Sequence, residues 1–398
     1  MNIAMDLIRE ALLGGSGGGG GGGTDNAPDN DVMLYDYDGT VLYSYSKADF
    51  LQLTAYPDAP AHNGLTSDGW NWPLADAKTY VTKNRYLDIG LMYSVTDGTT
   101  KFVYRNDDEN GYTVAVAFKS SAANNATIDW GDGSAQETIG ATSRTEYPHT
   151  YATGGEHIAS LKVNSGTVTF ENSQNASCAG NLERACYVRK LHIGSSITLN
   201  NYALGYMLNL EAVTIPKTFS GLSSKTYMFV NDYNLIHLTL PYGFTAPGSS
   251  FINSLYCLRS ICMPSTMTGF GTSNFTSCSA IRRWTPPVTS SVQGLTAASC
   301  LKVCVIPEGV TSVSGYVSGQ GFCLNSITIP STMTSIATLM NNARPLTEYH
   351  VKATSPPSLT KLNNNGPSPS VVYVPADSVS AYKTASGWST YESVIVGE

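Results

Sequence analysis

From residue 188 onward the chain repeats one phrase, an apolar residue followed by x-x-apolar-x-apolar and often proline. The units begin VRKLHIG (188), LEAVTIP (210), LIHLTLP (235), LRSICMP (258), IRRWTPP (281), LKVCVIP (301), LNSITIP (324), LTEYHVK (346) and PSVVYVP (369). The steps are 22, 25, 23, 23, 20, 23, 22 and 23 residues. A unit this short cannot bury its own apolar face, so it needs a neighbour above and below and must stack into one elongated body. Positions one, four and six are predicted to point inward. Proline at position seven ends the strand, where a missing N–H does least harm. At about 4.8 Å per coil, such a stack makes a rod on the order of 40 Å long.

These units resemble the BspA-like bacterial leucine-rich repeats, whose usual form is L-x-x-I-x-I-P. The closing segment VVYVPADSVSAYKTASGWSTY is similar to the helical cap that ends chains of that family. The resemblance covers roughly residues 186–394 and implies a leucine-rich-repeat solenoid with a C-terminal cap over 171–398. The role it implies is that of a bacterial cell-surface adhesin. The chain has eight cysteines and no C-x-x-C pair, which gives zinc or redox chemistry little support. Cys257, Cys300 and Cys323 each precede position one of a unit. They are expected inside the stack as small apolar thiols.

Upstream, YTVAVAFKS alternates as a strand, followed by ATIDWGDGSAQETI and YPHTYATGGEHIASLKV. Trp130-Gly131-Asp132-Gly133-Ser134 and His149-Thr150-Tyr151 resemble the W-G-D-G-S turn and later H-x-Y of the PKD (polycystic kidney disease) domain. That resemblance implies an Ig-like β-sandwich over 111–170. Gly131 and Gly133 suit a tight turn with positive φ. Trp130 and Tyr151 are expected to bury large apolar area between the sheets.

Residues 31–110 read as a small α+β domain: a hairpin over Val32–Tyr45, a helix near Ser46–Leu53, and a strand pair around LDIGLMYSVTDGTTKFVYR. Asp97-Gly98 between alternating apolar runs signals a hairpin turn. Before it, Met1, Met5, Ile8 and Leu12 fall at helical spacing, and residues 1–13 are read as an anchor helix. The glycine run Gly14–Gly23 opens a flexible linker over 14–30. The expected fold class is therefore mainly β: a small N-terminal α+β unit, an Ig-like (PKD-like) β-sandwich, then the solenoid.

The stretch YDYDGTVL, with Asp36 and Asp38, carries the nucleophile signature of haloacid-dehalogenase-like phosphatases. That chemistry needs Mg²⁺, further carboxylates from a later loop, and a doubly wound sheet of well over a hundred residues. No βαβ series intervenes before residue 112, and Asp107-Asp108 follows no suitable strand end. Asp-Gly-Thr is instead expected to form a tight turn with Gly39 at positive φ. No G-x-S-x-G elbow is present, and the six histidines are scattered. His149 is expected to serve the sandwich. Asp129 and Asp132 are too few oxygens for a Ca²⁺ site. Trp70 and Trp72 are either core or a sugar-stacking pair. No catalytic, cofactor or metal residue is assigned, and no enzyme is expected.

Charged residues make up only 13% of the chain, with a net charge of −7 and no Lys/Arg cluster in sequence, which argues against a nucleic-acid partner. No run of about 18 apolar residues occurs. The first 15 residues do not read as a secretion signal, because Asp6, Arg9 and Glu10 interrupt the apolar stretch. The segment LYDYDGTVLYSYSKADFLQL with GWNWPLADAKTYV and LDIGLMY, ahead of the sandwich and repeats, resembles architectures of phages and prophages of gut Firmicutes. The function implied is a virion appendage on a tail, baseplate or capsid. It would be held by particle proteins through the N-terminal helix, act as a homo-oligomer, and bind a host-surface glycan or protein. The alternative is an extracellular cell-surface adhesin, with a phosphatase third.

Overall fold

The computed structural model describes residues 30–106, 112–171, 175–269, 274–287, 291–292, 295–296, 298–318 and 323–398. The expected anchor helix, nearly all of the glycine linker and Asp107-Asp108 lie outside the described residues.

The chain enters through β1 (Val32–Tyr35) and β2 (Val41–Tyr45), antiparallel as the pattern predicted. Gly39 takes φ 87° in the turn, and its N–H donates to the Asp36 carbonyl at 3.1 Å. Ser46 caps α1 (Lys47–Gln52), its hydroxyl accepting from the Asp49 N–H. Then come β3 (Leu65–Trp70), α2 (Leu74–Asn84) and β4 (Leu87–Val95). The first sheet runs β2-β1-β4-β3, with β1 and β4 parallel. Its core holds Phe50, Trp70, Trp72, Tyr80, Val81 and Tyr93, and Ala212 from the repeats joins the same cluster.

The strand pair expected across Asp97-Gly98 does not form. The turn is present, with Gly98 at φ 73° and its N–H donating to the Val95 carbonyl at 2.9 Å. However, β4 pairs with β1 and β3, and β5 (Thr100–Asn106) leaves for the next sheet. The cause is burial on both sides of the turn. β4 is a buried central strand, whereas Phe102 and Tyr104 of β5 are committed to the following core.

Six further strands follow: β6 (Tyr112–Ser120), β7 (Ala126–Asp129), β8 (Glu137–Ile139), β9 (Thr145–Tyr151), β10 (Gly155–Val163) and β11 (Val168–Phe170). After the short pair β12 (Ala176–Ser177) and β13 (Gly180–Asn181) and the turn of helix α3 (Leu182–Ala185), the repeats open with β14 (Val188–His192), β15 (Ile197–Leu199) and β16 (Ala212–Thr214). One sheet runs β16-β14-β5-β10-β7-β8 and the facing one β15-β11-β6-β9. Phe102 meets Phe170 at 6.1 Å between ring centroids, and Tyr104 meets Tyr151 at 6.4 Å. Both sheets of this sandwich thus continue into the solenoid. The first coil is hydrogen-bonded to the sandwich on both faces, through β5 to β14 and β11 to β15.

The solenoid carries parallel strands on two faces. Each of the nine unit starts leads into a strand of the first face, from β14 to Val371–Val374. The second face runs through Phe229–Val230, Ile252–Asn253, Phe275–Thr276 and on to Ser358–Asn364. The predicted inward positions are buried, as with Leu210, Val213 and Ile215 or Leu324, Ile327 and Ile329. The position-seven prolines also shape the turn: the carbonyls of Pro216, Pro241, Pro264, Pro307 and Pro330 each accept from the N–H three residues on. At the C-terminal end, Tyr382 and Trp388 are fully buried and donate to the carbonyls of Ala353 and Pro357, both at 2.7 Å. They close the last coil.

All eight cysteines are free. Their expected place inside the stack is wrong for the three that precede a unit. Cys257 and Cys300 are half-buried and Cys323 is exposed, because each sits on the turn one residue ahead of the inward-facing position. The buried thiols are Cys178, Cys262 and Cys278.

Candidate binding face on the repeats

Along a strand, side chains alternate between faces. With positions four and six inward, positions three and five of each unit must point out from the first face. In the first five units these include His192, Thr214, His237, Thr239, Ser260, Cys262, Arg283 and Thr285, and all of them are buried. The cover is the N-terminal α+β unit. Asn71 Nδ2 donates to the carbonyls of Leu240 (3.1 Å) and Cys262 (2.9 Å). Trp72 Nε1 donates to Met263 O at 2.6 Å and Tyr80 Oη to Pro286 O at 2.6 Å. Gly90 is pressed so closely on the face that a Cβ there would lie 2.0 Å from Thr239 Oγ1. Arg283 Nε donates to Asp88 Oδ1 at 2.7 Å, an ion pair shut off from solvent.

The Asp36–Thr40 turn belongs to this docking surface. Asp36 is 3% exposed; its carboxylate accepts from the Tyr37 N–H at 2.8 Å and lies 2.7 Å from His62 Nε2. Asp38 Oδ1 accepts from the Thr40 N–H at 2.9 Å. Tyr35 stacks on His237 at 5.2 Å, and Tyr37 meets His192 edge-on at 5.8 Å. Burial pushes both His192 and His237 down to about 4, with Lys190 adding to the effect on His192. They are therefore neutral at physiological pH. His237 is held by Ser260 Oγ at 2.7 Å and Thr239 Oγ1 at 2.9 Å. Both carboxylates of the phosphatase-like octapeptide thus serve a turn and its docking, and no group of three or more metal-ligating side chains occurs among the described residues.

The other sequence candidates are also accounted for. Trp70 and Trp72 are buried in the core of this unit. Trp130 is buried, with His149 stacked on it at 4.7 Å and Tyr151 Oη donating to its carbonyl at 2.8 Å. Gly131 and Gly133 take φ 76° and 85°, and a Cβ on Gly131 would lie 2.3 Å from Ile158 O. Asp129 accepts from the Gly131 N–H and from Gln136 Nε2, and Asp132 from the Ser134 N–H, with His149 at 2.7 Å. Hydrogen bonds from Ser134 and His149 hold the Asp132 carboxyl well below the usual carboxylate range. These oxygens are committed to the turn itself.

Beyond Arg283 the cover ends at α2. Val303 and Val305 form a buried floor, and the outward positions of the later units come into the open: exposed Ser326 and Thr328, half-buried Glu348, His350, Val371 and Tyr373. Between this strip and the C-terminal end of α2 lies a groove of about 490 Å³, lined on the helix side by Lys83, Asn84 and Arg85 and on the repeat side by Lys302, Ser326 and Lys352. His350 lies between Glu348 (2.7 Å) and Glu398 (2.9 Å). Partial burial alone would lower its pKa, but the hydrogen bonds to Glu398 and Glu348 carry it above the ordinary histidine value. Sequence reading missed this face because it followed positions one, four and six. The signal lay in positions three and five, where His237, Cys262 and Arg283 give way to Ser326, Thr328 and Glu348.

Residues 183–282 match the BspA type leucine rich repeat region, in six copies. No curated protein matches the chain. A stacked-repeat solenoid of this type is in general a binding scaffold, and no helix among the described residues is long and apolar enough to cross a membrane.

Proposed function

We propose that this protein is a non-enzymatic attachment protein that displays its last three repeats to a host surface. One observation carries the reading: the chain's own N-terminal unit covers the outward face of the first five units, and that of the last three, from Ser326 on, is open. A solenoid offers a broad, rigid surface rather than a deep cleft, which suits contact with an extended ligand. The likeness of residues 183–282 to BspA type repeats supports a place at a surface.

In its fuller form, the proposal makes the chain a phage virion appendage on a tail, baseplate or capsid, with the sandwich a PKD-like spacer. Residues 1–13 dock into the particle. Several copies on one particle multiply a weak contact, since linked binding events raise avidity by about 10²–10⁴-fold. A glycan or protein of the host surface is the partner. The repeats alone favour a second reading, a bacterial cell-surface adhesin. Sedimentation separates the two: antibody against the chain labels purified phage particles in the first case and intact producer cells in the second. A chain lacking residues 1–13 is expected to bind host cells while failing to join particles. Labelled protein that binds no host cell at any concentration tested would remove the attachment role.

A further inference from the structure

We infer that the groove between α2 and the later repeats binds an anionic saccharide. The inference rests on the attachment reading and names its ligand class. Five cationic side chains, Lys47, Lys83, Arg85, Lys302 and Lys352, line the groove against two carboxylates, Glu308 and Glu398, in a chain of net charge −7. They come from separate parts of the sequence, so no basic run announces them. Both carboxylates are already engaged: Glu308 accepts from the Ser331 N–H at 3.1 Å and its hydroxyl at 2.8 Å, and Glu398 contacts His350 at 2.9 Å. Lys47 donates to the Thr82 carbonyl and Arg85 to Asp31, and Lys352 reaches Glu308 only at 3.9 Å. Lys83 and Lys302 are exposed and have no carboxylate partner among the described residues. They stand on opposite walls, one on the helix and one on the repeats.

Unneutralised cations in a recess concentrate a positive field that draws in anions. The neighbouring groups decide the class of anion. Ser326 and Thr328 present exposed hydroxyls, suited to the hydroxyls of a sugar. Protein interfaces rely on aromatic or aliphatic anchors seated in pockets, whereas here the half-buried Tyr86 ring already lies under the Arg85 and Arg283 guanidiniums at 4.8 and 5.5 Å, and Val303 and Val305 are buried in the floor. A carboxylated or phosphorylated glycan laid across the strands satisfies the lysines and the hydroxyls together.

The test uses the full chain and four immobilised polymers: polygalacturonate, phosphomannan, neutral dextran and poly-L-glutamate. Binding is expected to one or both charged glycans and not to dextran, and it should weaken with added salt because the contacts are exposed. The two charged glycans distinguish carboxylate from phosphate as the recognised group. The Lys83→Glu/Lys302→Glu variant should lose roughly tenfold or more in affinity, and Lys83→Gln/Lys302→Gln somewhat less. Lys162→Glu, on β10 away from the groove, should match wild type. An unchanged thermal melt keeps misfolding from passing as lost binding. Failure to bind either charged glycan, equal binding by the double reversal, or equal binding to poly-L-glutamate overturns the inference. Host-cell binding is measured on the same variants. Cells that hold wild type and double reversal alike sink the groove alone, while cells that hold neither wild type nor variant sink the attachment reading.

Discussion

Replacing Arg283 by methionine removes the guanidinium at the far end of the docking surface and leaves its neighbours in place. Arg283 is 5% exposed and Asp88 0%. The guanidinium donates to Asp88 Oδ1 at 2.7 Å and to the carbonyls of Asn30 and Asp31 at 3.1 and 3.2 Å. Hydrogen bonds to charged groups contribute about 1.5–3 kcal/mol each. Their sum overstates the loss, because methionine regains apolar contact. A buried charge left without its partner costs about 3–5 kcal/mol, and that is the expected fall in unfolding free energy for Arg283→Met near neutral pH. Asp88 should then reveal itself through pH. Burial already raises its pKa, opposed by Arg283, and losing Arg283 removes the opposition. A carboxyl with a raised folded pKa binds more protons folded than unfolded, so stability falls as pH rises through the folded value and returns on acidification toward the unfolded one. The variant should regain part of its loss between neutral pH and about 4, more steeply than wild type. Adding Asp88→Asn should restore stability at neutral pH and flatten that slope. Urea unfolding followed by tryptophan fluorescence reads all three, since Trp70 and Trp72 lie in the docked unit. A loss under about 1 kcal/mol, or a double variant no more stable than the single one, would refute the account of a paired charge as the lock.

Gly39→Ala should cost about 1–3 kcal/mol, because φ 87° is strained for alanine and the new Cβ would lie 2.8 Å from His237 Cβ; the same change at Gly133, with nothing within 4 Å, isolates the backbone share. In native protein a thiol reagent should modify Cys323 fastest, while Cys178, Cys262 and Cys278 react only after unfolding, since burial pushes the Cys278 thiol up to about 12 and the others upward as well. His350→Gln should remove a small stabilisation, a few tenths of a kcal/mol for so exposed a pair; it is present below the unfolded histidine value of 6.5 and lost as pH rises through the raised folded one, as thermal melts across that window would show.

The repeats were legible because their spacing is set by geometry. Each coil must return an apolar residue to the same height, so Leu210, Leu235 and Leu258 mark the steps. The Asp-Gly-Thr turn was equally plain, since Gly39 has a local backbone reason to be there. What lay hidden was choice of partner. Asp97-Gly98 makes the turn it advertises, yet a turn constrains only a few dihedrals, and burial sends β4 and β5 to different sheets. The docking surface was hidden for a related reason. His237 and Arg283 look like ordinary outward residues of a repeat, and only the presence of Tyr35 and Asp88 against them makes them interior. The cationic groove joins residues from 47 to 352, a separation at which no window of sequence can sum the charge.

The docked unit also sets a timetable for synthesis. Asp88 leaves the ribosome 195 residues before the arginine that neutralises it, and Asn71 waits 191 residues for the Cys262 carbonyl. At about 5–20 residues per second, that is a delay of roughly 10–40 s. During it, the face that will meet the fifth coil stands bare. The first-made part of this chain is thus among the last to be finished, and nascent chains halted before residue 283 should be the ones that chaperones hold.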